Sequence, residues 1–178
     1  MTENSATRRL FFALWPDETC RTALAHATRK ATRASGGRPV TVSNLHSTLA
    51  FLGPVAEARL AVAVEVAAQV RQAPFRLMLD RLEHWPRQGL LCMTSTEPPS
   101  GAAELAAGLW KLLAAQGFVP DYKPYRPHVT LARKVMKPHA LGAIHPVEWS
   151  VQDFALVESV TAPEGAEYTP LQHWPLRR

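Results

Sequence analysis

Two short segments, His46-Ser47-Thr48-Leu49-Ala50 and His128-Val129-Thr130-Leu131-Ala132, share the pattern His-x-Thr-Leu-Ala and lie 82 residues apart. Each sits in a stretch that reads as a β-strand, at a corresponding place in its half of the chain. On a strand, residues i and i+2 face the same side, so each copy presents its histidine and threonine together, with Cα atoms roughly 6.5–7 Å apart by strand rise. Ser47 and Val129, and the two leucines, then point the other way, and the leucines anchor each strand to a core. If the two strands meet across a pseudo-two-fold axis, two imidazoles and two hydroxyls converge on one cleft. Two polar residues on one strand face need partners if buried, which weighs against a merely structural pair.

The flanking pattern sets the fold class. Arg9–Leu14 reads as a buried first strand. Pro16-Asp17-Glu18 starts a helix whose apolar spacing (Cys20, Leu24, Ala27, Ala31) lasts until Ser35-Gly36-Gly37. A strand region follows from about Val40 to Phe51 with a turn near Ser43-Asn44, and Gly53-Pro54 is expected to end it and open a second helix reaching about Gln72. Phe75, Leu77 and Leu79 alternate as a half-buried strand. Glu83–Gly89 reads as a loop before a strand at Leu90–Ser95, and Ser100 as the N-cap of a third helix that ends at Gly117. Strands are expected near Tyr125–Arg133, Val151–Ser159 and Tyr168–Trp174, with Pro138–Pro146 as a surface loop. Strands seldom alternate one-for-one with helices, so antiparallel α+β fits better than a doubly wound parallel sheet.

The 178 residues, 47% hydrophobic, suffice for a packed interior in one domain. A formal net charge of +5 favours polyanionic partners such as nucleic acid. Cys20 and Cys92 have no ligand-like spacing, consistent with a reduced chain. The apolar run Leu10–Trp15 after Arg8-Arg9 is too short for a secretory core, and no stretch approaches a membrane span, so the expected location is the cytoplasm.

Paired imidazoles and hydroxyls suit a phosphodiester. A neutral imidazole takes a proton from attacking water while a protonated one gives its proton to the leaving oxygen, and histidine titrates near pH 6.5. The threonine hydroxyls donate to non-bridging phosphate oxygens. The scheme calls for no metal or cofactor. Two other readings remain at this point: a non-catalytic RNA-end binder using the same cleft, and a metal-binding structural protein. For the latter, a zinc site on His46 and His128 needs a third ligand. The remaining histidines (His26, His84, His139, His145 and His173) offer none at ligand spacing. Binding alone would be served as well by Arg or Lys.

At these residues the sequence resembles the RNA 2′,3′-cyclic phosphodiesterases, or 2′-5′ RNA ligases, of the two-histidine phosphoesterase superfamily. The resemblance runs through Arg9–Leu14, Asn44–Gly53, Arg126–Arg133, Phe154–Ser159 and Tyr168–Leu171. It implies a single bilobal domain over 1–178, with antiparallel sheets, helices outside and the motifs lining a central cleft. It also implies opening of RNA 2′,3′-cyclic phosphate ends, or of small cyclic nucleotides, to 2′-phosphates; the chain is expected to act as a monomer. Some relatives join RNA ends through a 2′-5′ linkage as well. His46 would be the proton donor and His128 the acceptor, with Thr48 and Thr130 holding the phosphate. Ser47 departs from the larger apolar residue usual there. The family pattern also gives Arg133 to the phosphate, yet strict parity puts it opposite His128 unless a bulge or strand end turns it. Arg126 has the right parity but adjoins Pro127. Lys123, Arg126, Arg133, Lys134 and Lys137 are candidates to steer RNA, and Phe12 or Trp85 to stack on a base.

Overall fold

The computed structural model describes residues 6–121, 123–138, 141–163 and 165–178. Among them are ten strands and three α-helices. Their order is β1 (Thr7–Leu14), α1 (Glu18–Ala34), β2 (Arg38–Pro39), β3 (Ser47–Ala56), α2 (Leu60–Gln69), β4 (Phe75–Leu79), β5 (Arg81–Trp85), β6 (Leu90–Thr94), α3 (Ser100–Ala115), β7 (His128–Arg133), β8 (Val147–Val151), β9 (Asp153–Ala162) and β10 (Gly165–Pro175). Two four-stranded sheets, ordered β10-β9-β1-β3 and β2-β7-β6-β5, carry the architecture, and β4 pairs with β8 separately. All pairings between these strands are antiparallel, as expected for α+β.

Local chemistry accounts for most of the boundaries. Asp17 accepts a hydrogen bond from the Cys20 amide and caps α1, satisfying one of its orphan donors. At the other end of α3, Gly117 adopts φ +79°. The Phe118 amide there reaches back to the Leu113 carbonyl, as a glycine-terminated helix requires. Ser100 is the first helical residue of α3, with Pro99 in the cap position and no side-chain cap.

Three expectations are corrected. Gly53-Pro54 does not end its strand: β3 runs on to Ala56, and α2 starts only at Leu60 after a short 3-10 turn. The reason is that β3 is the outer strand of its sheet, where a proline without an N–H is tolerated. The expected loop at Glu83–Gly89 is a hairpin instead, because Arg81–Trp85 pairs with β6. Val147–Ser150, ascribed to no strand, together with Val151, expected to open the next one, form β8 and pair with Phe75–Leu79, so β9 starts only at Asp153. Within the Pro138–Pro146 stretch, residues 139 and 140 lie outside the described residues.

One contiguous core joins both four-stranded sheets, including Leu10 and Leu14 from β1, Met93 from β6, Val129 from β7 and Leu156 from β9. Helix α1 packs toward β7 and β8, and α3 toward β3 and β4. The leucines of the two motifs, Leu49 and Leu131, are buried at 4% and 2% exposure. They serve as anchors, as their strand parity demands. No helix among the described residues is long and apolar enough to cross a membrane.

Candidate active site

Both motifs enter the same groove region, and each does so with the same irregularity. In β7, Cys92 pairs with Thr130 and Leu91 with Ala132, so Leu131 is an extra residue without its own partner. In β3, Ala13 pairs with Thr48 and Phe12 with Ala50, leaving Leu49 unpaired in the same way. A bulge adds one residue and reverses the side-chain alternation beyond it. From Val129 to Arg133 the burial runs buried, half-buried, buried, buried, exposed, and from Ser47 to Phe51 it runs identically. Arg133 is thereby turned to the cleft side, where it lines a cavity of about 1070 Å³ with His46, Thr48 and Thr130. Its counterpart in the first copy is Phe51, 46% exposed, which lines the same cavity.

The imidazoles are held in matching ways. Nδ1–H of His46 donates to the Asn44 carbonyl at 2.6 Å, and Nδ1–H of His128 donates to the Arg126 carbonyl at 2.8 Å. A carbonyl only accepts, so both rings carry their Nδ1 proton and keep Nε2 for chemistry. Nε2 of His46 lies 3.0 Å from the Thr48 hydroxyl. Among the described residues, Nε2 of His128 has no hydrogen-bond partner, and its ring packs against Trp85 at 4.6 Å.

Surroundings depress both rings' basicity. Phe11 and Trp15 lie against His46 at 5.0 and 5.7 Å, with the Tyr168 edge at 5.2 Å. This burial is the main cause that pushes His46 down to about 4; its bond to Asn44 opposes it, and the charges of Arg133, His128 and Arg21 add to it. His128 is also lowered, first by burial; its bond to the Arg126 carbonyl opposes this, the Arg126 and Arg133 charges reinforce it, and Glu83 counters. In the free protein at neutral pH both rings are therefore neutral.

Other candidates separate clearly. Arg126 is committed to Glu83, 2.9 Å from Oε2, and lies over the Trp85 ring at 5.4 Å. Phe12, a candidate for base stacking, is fully buried against Phe154 and Trp174 and cannot reach a ligand; its neighbour Phe11 faces His46 instead. Ser47 is buried away from the cleft, and its hydroxyl accepts the His128 amide at 3.3 Å, tying one motif to the other. Lys134 lines the cleft beside Arg133, whereas Lys123 is near Asp121. Nε2–H of His84 donates to the Val135 carbonyl at 3.0 Å, and His139 lies outside the described residues. No group of three or more His, Cys, Asp or Glu suited to a metal occurs among the described residues. Sequence reasoning missed Phe51, Arg9 and Arg38, all lining the cavity, with the Arg9 guanidinium 4.7 Å over the Phe51 ring.

This paired geometry can be compared with known proteins. The model of the 2′-5′ RNA ligase superfamily matches residues 15–162. The chain belongs to that superfamily. Among the superfamily's curated members, it is 34% identical over 175 residues to the RNA 2′,3′-cyclic phosphodiesterase of Escherichia coli, covering 97% of this chain and 98% of the relative. It is 35% identical over 179 residues to the enzyme of the same name from Thermus thermophilus, covering 95% and 90%. Among solved structures, that of E. coli LigT complexed with 3′-AMP superposes with a TM-score of 0.89 at 32% identity, over 97% of this chain and all of the other. The chain therefore shares its fold with that structure.

Proposed function

We propose that this protein is an RNA 2′,3′-cyclic phosphodiesterase, which opens terminal cyclic phosphates on RNA, or on small cyclic nucleotides, to 2′-phosphates without a metal. The single observation that carries the reading is the mirrored tethering of the two imidazoles, each donating Nδ1–H to the carbonyl two residues earlier. Nothing but Nε2 is then available to either ring for proton transfer. His128 Nε2 takes a proton from water as the water oxygen attacks phosphorus. His46 Nε2 gives a proton to the departing ribose 3′-oxygen. The P–O3′ bond breaks, and the phosphate stays on the 2′-oxygen.

Thr48 and Thr130 donate to the non-bridging oxygens, and the Arg133 fork neutralises the charge gathering there. Phe51 offers an exposed aromatic face on which the terminal base stacks. The anionic phosphate, placed between the rings, favours the imidazolium and so restores the proton that burial removes from His46 in the free protein. One chain supplies both motifs, so a monomer, acting as one two-lobed domain over residues 1–178, is complete. The curated relatives' name and the 3′-AMP complex of LigT support a nucleotide in this cleft.

The test is hydrolysis of adenosine 2′,3′-cyclic phosphate in excess chelator, followed by phosphorus NMR. The expected product is the 2′-phosphate, formed at an undiminished rate. Activity lost to chelator and restored by zinc, or a product that is only the 3′-isomer, refutes the proposal.

A further inference from the structure

The two imidazoles are tethered alike but not surrounded alike. Burial lowers His46 most, and the charges that add to it, from Arg133, His128 and Arg21, are all cationic. His128 packs on Trp85, and that ring is bonded to a carboxylate, Glu83. Arg81, Glu83 and Trp85 alternate along β5 and so share a face. Across the sheet Glu83 pairs with Cys92, and Cys92 with Thr130. Glu83 therefore stands in the row of the phosphate-holding threonine, roughly 10 Å from it by strand spacing.

A carboxylate only 15% exposed needs donors, and among the described residues three reach Glu83. Trp85 Nε1–H donates to it at 2.8 Å and Arg126 at 2.9 Å, and Arg81 completes the set. Burial opposes its ionisation, but these donors hold it down at about 2, so it is charged wherever the rings titrate. Two of the donors are also the residues that touch His128. The Trp85 ring lies 4.6 Å from the imidazole, and the Arg126 carbonyl accepts its Nδ1–H at 2.8 Å. One carboxylate thus ties together the ring, the tether and the Arg126 cation around the base.

The other charged groups facing His128 are Arg133 on its own strand and His46 from β3. The Cys92 thiol of β6, which burial pushes up to about 12, is neutral. When His128 takes the proton of water it becomes a cation close to two others, Arg126 and Arg133. Unbalanced, Arg126 would oppose that step; a carboxylate in contact with it cancels much of its field. We propose that Glu83 is a positioning residue for His128: it holds Trp85 and Arg126 against the ring and offsets the Arg126 charge, so that the base can take its proton. The role rests on the hydrolase reading, in which His128 is the base. A plain anchor of the β5–β6 hairpin would hold Trp85 as well with an uncharged amide, so charge separates the two roles.

The experiment titrates His128 by imidazole proton NMR in the full chain, with the resonance assigned by its loss in His128→Ala. Hydrolysis of adenosine 2′,3′-cyclic phosphate is measured alongside. Glu83→Gln keeps an acceptor for Trp85 Nε1–H and removes the charge. It is expected to move the His128 titration about one unit to lower pH and to lower kcat about tenfold with KM little changed, the scale of one charge roughly 10 Å away. Arg126→Ala keeps the tethering carbonyl and is expected to move the titration to higher pH. In the double variant neither charge remains, so kcat should recover to within about threefold of wild type and the titration should return toward it. A His128 titration unmoved in both single variants overturns the proposal, and the Arg126→Ala arm decides it where Glu83→Gln fails to fold. A double variant no faster than Glu83→Gln also overturns it, since Glu83 is then a hairpin anchor only. Wild-type protein that hydrolyses no cyclic nucleotide refutes the hydrolase reading and this role with it.

Discussion

Replacing Arg133 with alanine separates what the bulge at Leu131 accomplishes from what the histidines do. Among the described residues, no carboxylate lies within ion-pair reach of Arg133, whereas Arg126 is paired with Glu83. A hydrogen bond to a charged group contributes about 1.5–3 kcal/mol. At about 1.36 kcal/mol per tenfold, its loss should lower kcat/KM by roughly 10–150-fold, toward the upper end if both arms of the fork engage the phosphate. A second effect opposes the first. The Arg133 charge helps depress His46, so its removal lets His46 rise toward the ordinary histidine range and hold its proton to higher pH. The variant's profile should therefore be displaced to higher pH, with its deficit largest on the acidic side. Arg133→Lys keeps the charge but not the planar fork and should fall between. Arg126→Ala disturbs an exposed ion pair and should cost at most about fivefold, the equivalent of about 1 kcal/mol. The assay is initial-rate hydrolysis of a cyclic mononucleotide from pH 4 to 9. If Arg126→Ala costs more than Arg133→Ala, the bulge argument is wrong and Arg126 is the phosphate ligand.

The pH profiles of the wild type should differ between free and bound enzyme. Both histidines are depressed below 6.5 when free, so kcat/KM, which reports the free enzyme, should fall already as pH rises through 6.5. The bound phosphate raises both pKa values, so the alkaline limb of kcat should lie at higher pH, and superimposable profiles refute this. A second expectation concerns Gly37, where an added Cβ would sit 2.5 Å from both the Arg133 carbonyl oxygen and Val135 Cγ2. Gly37→Ala should destabilise the protein by about 1–3 kcal/mol in urea denaturation, the usual cost of overpacking, and unchanged stability would mean the loop yields freely.

The paired histidines, their threonines and the core leucines were legible because a two-residue strand period needs only the sequence. What the sequence hid was decided by partners. Nothing in Leu49 or Leu131 marks a bulge; the extra residue exists only relative to the strand opposite. The parity objection to Arg133 was sound for a regular strand and fails for this one. Phe51 escaped for the same reason, although its place five residues after His46 matches that of Arg133 after His128. Pro54 reads as a strand end unless β3 is known to be an outer strand. The polar run Glu83-His84 reads as a loop unless one sees that Glu83 binds Trp85 and Arg126, and that His84 meets the Val135 carbonyl.

The central claim is that His46 and His128 act as one acid–base pair through Nε2. It is tested most directly by turnover of His46→Ala, His128→Ala and the double variant on one 2′,3′-cyclic nucleotide, with folding checked by circular dichroism. Each single variant should lose roughly 10²–10⁴-fold in kcat. The double variant should lose less than the product of the two, since groups acting as a unit are not additive. Nucleotide affinity should fall much less than turnover, because Thr48, Thr130 and Arg133 still hold the phosphate. A folded His46→Ala or His128→Ala protein that turns over at a near wild-type rate would contradict the paired mechanism.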